Sequence, residues 1–96
     1  MKIAAVIFGQ LGGNRFTVMT GAKNFVGSDE GLTFRIPKAK NGINCVRIIL
    51  TPADLYKVEF MKIRGTTVKT HEIVSNVYAE NLRSVFEDHT GLATSL

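Results

Sequence analysis

One cysteine, no tryptophan and two histidines stand among the 96 residues. A lone thiol, Cys45, excludes a disulfide within the chain, and a disulfide-free chain fits a reducing compartment. It lies in the apolar run CVRIIL, where a buried, unreactive thiol is the expectation. His71 and His89 are 18 residues apart and Cys45 is alone. No cluster has metal-ligand spacing, and neither a metal nor a cofactor is expected. The longest uninterrupted apolar run, Ile3 to Phe8, is six residues. That is far too short to cross a bilayer, and no membrane partner is expected. The glycines of GQLGGN and TGAKN lack both the G-x-G-x-x-G and the P-loop spacing, so both read as turns. Asp29 and Glu30 are the one adjacent carboxylate pair in a glycine-rich stretch, and adjacent side chains point apart. No motif anchors a Ser/His/Asp or Cys/His arrangement, so an enzyme is not expected.

What is present is an ordinary globular balance, 45% apolar and 21% charged residues. Ninety-six residues make a single domain, 1–96, because two would each fall near the lower limit for a self-sufficient core. There is no internal repeat, low-complexity tract or linker. The start, MKIAAVIFGQLGG, sets Lys2 before a short apolar run, but no small-x-small site follows, so a secretion signal is not expected. Charge is unevenly spread. Residues 1–71 hold eleven basic and four acidic side chains, a net of +7; residues 72–96 hold one and four, a net of −3. A basic body suits a polyanionic partner on one face, and also serves solubility alone.

Residues 1–11 space Ile3, Val6, Ile7 and Leu11 as on a helix, and Gly12-Gly13 is a stop signal. RFTVMT (15–20) alternates and predicts a strand. GAKNFVGSDEG is a connection with a strand remnant at Asn24 to Val26. GLTFRI (31–36) alternates strictly, with Leu32, Phe34 and Ile36 inward and Thr33 and Arg35 outward, and Pro37 ends the ladder. PKAKNGIN is a loop with an Asn-Gly turn. CVRIILT (45–51) is the most apolar strand, expected near the sheet centre. LYKVEFMKIR (55–64) shifts its apolar phase after Phe60, as a β-bulge would. TTVKTHEIV (66–74) makes a last strand, with Ser75 or Asn76 capping an amphipathic helix over 77–90 that Gly91 ends. Strands in a run with helices at the ends indicate an α+β fold: a four- to five-stranded antiparallel sheet, a C-terminal amphipathic helix and a short N-terminal helix.

The sheet face away from the helix would carry Arg35, Arg47 and Lys57, with Thr33 and Glu59 between them. Lys38 and Lys40 would add reach from the adjoining loop. Basic residues on an open sheet point to single-stranded DNA or RNA, whose phosphates need a positive track and whose bases need flat side chains. The stacking half is thin. Phe16, Phe34, Tyr56 and Phe60 fall on the apolar phase, which leaves Phe25 as the best exposed aromatic. Glu59 would repel a phosphate beside it. A protein-interaction module and a small virion or assembly component are the other readings. Tyr78, Leu92, Met61 and Ile63 extend the apolar surface beyond what so small a sheet can cover, which favours a homodimer.

The segments QLGGNRFTVMTGAKNF, NGINCVRIILTPADLYKVEF and VYAENLRSVFEDHTGL together resemble a family of small uncharacterised tailed-bacteriophage and prophage proteins. LGGNRF, MTGAKNF and LTPADLY carry the resemblance most specifically. It implies a bacterial cytoplasm during infection, or a prophage-bearing host; the interaction-module reading would take a host or phage protein as its partner. The family brings no assigned activity, so it transfers no functional residue. In element order alone the chain is similar to compact four-strand-plus-helix single-strand binders of the transcription-coactivator type, and a shared fold does not fix a function.

Overall fold

The computed structural model describes residues 2–37 and 39–94. Two helices, α1 (Lys2–Leu11) and α2 (Asn14–Thr20), precede five strands: β1 (Lys23–Gly27), β2 (Gly31–Arg35), β3 (Cys45–Leu50), β4 (Tyr56–Arg64) and β5 (Thr67–Val77). Helix α3 (Leu82–Thr90) closes the order. The strands form one antiparallel sheet in sequence order, a meander. The fold is α+β.

All three helices pack on one face of the sheet. Strict alternation in β2, β3 and β4 sends Leu32, Phe34, Val46, Ile48, Val58 and Phe60 to that side, where each is almost completely buried. The helices meet them with Ile7 and Leu11 from α1, Phe16 from α2, and Leu82 and Phe86 from α3, all at 0–1% exposure. Three phenylalanines make the centre. The Phe16 ring stands edge-on to Phe34 at 5.4 Å and to Phe86 at 5.1 Å. Full burial of each such side chain stabilises by about 1.5–3 kcal/mol.

Residues 15–20 are helical, not a strand. Phe16 and Thr20 are buried while Val18, which an alternating strand would have turned inward with them, is 81% exposed. The Thr20 hydroxyl donates to the Phe16 carbonyl at 2.7 Å and accepts from the Ala22 N–H at 3.2 Å, so the polar group is buried with its bonds made. The remnant at 24–26 is a full edge strand, β1, and holds the place given to 15–20. Its pairing with β2 skips between Lys23 and Val26, where Asn24 takes a φ of 56°.

The register break near Phe60 lies where the sequence puts it, but on the neighbouring strand. β4 pairs regularly with β3 throughout, and His71 is the extra residue, set in β5 between the partners of Phe60 and Met61. Met61 and Ile63 therefore continue the outward phase of Lys57 and Glu59. β5 runs on to Val77, so Ser75 and Asn76 lie within the strand and cap nothing; α3 starts at Leu82 after a single turn of 3₁₀ helix, Ala79–Asn81.

β4 outruns β3. Past Cys45 only β5 accompanies it, and Lys62–Arg64 with Thr67–Lys69 form a two-stranded ribbon. Asn44 secures its base. The Asn44 backbone N–H donates to the Met61 carbonyl at 3.0 Å. Its side-chain amide donates to the Ile63 carbonyl at 2.9 Å, and its side-chain oxygen accepts the Ile63 N–H at 2.8 Å. One carboxamide thus copies a strand residue for one further step of the ladder.

Candidate nucleic-acid interface

Register places Arg35, Arg47 and Lys57 on the sheet face opposite the helices. Arg35 pairs with Cys45, Thr33 with Arg47, Arg47 with Glu59, and Ile49 with Lys57. Glu59 also lies there, and it engages two of the three cations. Its carboxylate oxygens sit 3.3 Å from the Arg47 guanidinium and 3.6 Å from the Lys57 ammonium. The Glu59 side chain is 13% exposed, against 48% for Arg47 and 38% for Lys57. Such half-exposed pairs contribute little to stability, of order 0–1 kcal/mol, but they offset charge that a phosphate would otherwise meet. Among the described residues no carboxylate pairs with Arg35, which donates from Nε to the Asn44 carbonyl at 3.3 Å.

Cys45 and Met61 are paired on this same face, yet both are buried. Burial pushes the Cys45 thiol up, and the guanidiniums of Arg35 and Arg47 oppose that rise without cancelling it. A buried thiol held in its neutral form is a poor nucleophile.

Lys40 does not extend this face. Lys40, in the 3₁₀ turn Lys40–Gly42, lies on the helix side and reaches the Asp88 carbonyl in the last turn of α3 at 3.4 Å. Lys38 lies outside the described residues. Phe25 is half-buried rather than free to stack. Its ring stands edge-on to Phe8 at 5.2 Å and lies 5.4 Å from Phe34, so it belongs to the margin of the core. His89 is also at the core edge, stacked on Phe60 at 4.7 Å, with Nδ1 2.9 Å from the Val85 carbonyl and Nε2 3.3 Å from Glu72. Among the described residues no three His, Cys, Asp or Glu side chains gather as a metal site would require.

Charge is sorted along the strands as well as across the sheet. A meander brings alternate turns to opposite ends. At one end the β1–β2 and β3–β4 turns carry Asp29, Glu30 and Asp54, and Glu80 follows the end of β5. At the other end lie Lys23 at the start of β1, Arg35 at the end of β2, Lys62 and Arg64 at the end of β4, and Lys69 at the start of β5. The sequence shows all of these cations, but their convergence depends on strand direction, and placing the first strand at 15–20 hides it.

Comparison with family models, with curated proteins and with solved structures finds nothing that matches this chain.

Proposed function

We propose that the protein is a non-enzymatic binder of single-stranded nucleic acid that works through the cationic end of its sheet and the basic residues of the helix-free face beside it. The observation that carries this reading is the segregation of charge, with Lys23, Arg35, Lys62, Arg64 and Lys69 at one end of the strands and Asp29, Glu30 and Asp54 at the other. A surplus serving solubility alone gains nothing from such sorting, whereas a polyanion is steered by it. Arg35, with a planar guanidinium suited to phosphate oxygens, is the central contact. Arg47 and Lys57 take part as Glu59 releases them. The resemblance to small tailed-phage proteins supports a setting in the cytoplasm of an infected or prophage-bearing bacterium.

The test is a titration of fluorescent oligothymidylate, and of single-stranded RNA and duplex DNA, at two salt concentrations. Binding to single strands should weaken steeply with salt. Absence of binding at low salt would leave the basic surface as a solubilising one.

A second reading, a protein-interaction module or homodimer, is favoured by Val26, Val68 and Ile73. All three are more than half exposed and lie on the outward phase of the edge strands β1 and β5. Exposed apolar side chains on edge strands are the places where another chain adds. Sedimentation at high micromolar concentration separates the two: a dimer that ignores salt and nucleic acid supports the second.

A further inference from the structure

The geometry points to the path of the strand: its phosphates run along the basic end of the sheet, from Lys23 to Lys69, rather than across the centre of the open face. This inference rests on the nucleic-acid reading and gives it a site. Three shallow depressions share walls along that end. Lys23 and Arg35 line the first together with Asn44. Asn44 also lines the second, with Lys62 and Arg64. Lys62 and Arg64 continue into the third, which Lys69 and Thr67 complete. The three thus adjoin one another, the first two at Asn44 and the last two at Lys62 and Arg64, and among the described residues no acidic side chain lines any of them. The depression at the opposite end, by contrast, is walled by Asp29 and Glu30 with Arg47 as its one cation among the described residues.

Two features mark the track as built for an anion. Lys62 and Lys69 are direct partners across β4 and β5, and like charges placed opposite one another destabilise a ladder. Among the described residues neither of them, nor Arg64, forms a salt bridge that would relieve the repulsion. A phosphate between them does. The central face shows the reverse arrangement, since Glu59 already bonds Arg47 and Lys57. The span also suits a single strand. Five strands leave four gaps of about 4.8 Å, or roughly 19 Å from β1 to β5, enough for several consecutive phosphates. Among the described residues no aromatic side chain lines the track. Recognition is therefore of the backbone, indifferent to base, and strongly salt-dependent.

The experiment maps backbone amide shifts of the full chain with two probes, oligothymidylate and inorganic tripolyphosphate. It then compares two variants by salt-dependent titration of the oligonucleotide. In one, Lys62→Gln, Arg64→Gln and Lys69→Gln are combined; in the other, Arg47→Gln and Lys57→Gln. Both probes should shift Lys62, Arg64 and Lys69. The ribbon variant should flatten the slope of log K against log salt by about 2, at roughly 0.7 for each phosphate no longer neutralised, and the central variant, whose cations Glu59 already engages, should flatten it by less. Oligonucleotide shifts confined to Arg47 and Lys57, with the ribbon variant binding as the wild type does, would overturn the path and leave the nucleic-acid reading standing. Ribbon shifts with tripolyphosphate and none with any oligonucleotide would keep the phosphate site and overturn nucleic acid as its ligand. No shift with either probe would overturn both.

Discussion

Helices α2 and α3 end in the same way, although one reads clearly from the sequence and the other does not. Phe16-Thr-Val-Met-Thr20-Gly21 and Phe86-Glu-Asp-His-Thr90-Gly91 share a spacing, F-x-x-x-T-G. In both, the threonine hydroxyl donates to the phenylalanine carbonyl, at 2.7 Å in α2 and 2.8 Å in α3, and accepts the N–H two residues on at 3.2 Å. In both, the glycine turns left-handed, with φ of 74° and 75°. The two phenylalanines then touch each other. What differs is what precedes the device. α3 is long enough to show its period beside charged neighbours, whereas the seven residues of α2 place Phe16, Val18 and Thr20 at a spacing that also fits a strand. A shared ending proves a better guide to a short helix than its periodicity.

Removing the rings should give the largest effect. Phe16→Ala and Phe86→Ala should each cost about 3–5 kcal/mol in urea unfolding. Their effects should fail to add, because each ring is the other's neighbour. Additive losses would mean that the two ends are energetically separate. The glycines should break the symmetry. A methyl group at position 91 meets only Lys40 carbons at 3.9 and 4.0 Å, whereas at position 21 it meets Pro37 at 3.0 and 3.4 Å. Gly91→Ala should therefore cost about 1–2 kcal/mol, the ordinary left-handed penalty, and Gly21→Ala more than that, read as the difference in urea midpoints. Thr20→Val and Thr90→Val keep the shape and lose the hydroxyl, so each should cost about 1 kcal/mol, and equally, by thermal or urea melts.

The smallest effect belongs to α3 alone. Glu87 accepts from both the backbone N–H and the hydroxyl of Thr94, at 2.8 and 2.9 Å, and these bonds hold its carboxyl below the usual carboxylate range. A group depressed in the folded state stabilises above its unfolded pKa, and that contribution is lost as pH falls through the lower, folded value. The Thr94 amide should lose protection from hydrogen exchange on acidification before the sheet amides do, and Glu87→Gln should make its protection independent of pH.

The middle of the sheet was legible because β2, β3 and the first half of β4, as far as Phe60, alternate without a fault. That alternation placed Arg35, Arg47 and Lys57 on one face and Glu59 among them. The edges were less so. β5 buries almost nothing before Val77, so no apolar pattern marks its full length, and β1 is short and irregular. The acid-free track was hidden for a different reason. Lys62, Arg64 and Lys69 share one hairpin, but Lys23 and Arg35 are far from it in the chain, and only strand direction brings all five to one end. Counting strands from 23–27 instead of 15–20 would have revealed it.

Asn44 gives the ribbon a mechanical character. Lys62–Arg64 and Thr67–Lys69 project like a beam clamped at one end, and the clamp is a single carboxamide holding Ile63 by both backbone groups. The same residue accepts the Ile36 N–H and the Arg35 Nε–H through its carbonyl. Load on the cationic tip is therefore passed through one side chain to the end of β2, where Arg35 sits. Stiffness of the arm and aim of the arginine share a fulcrum, and loosening Asn44 would slacken both together.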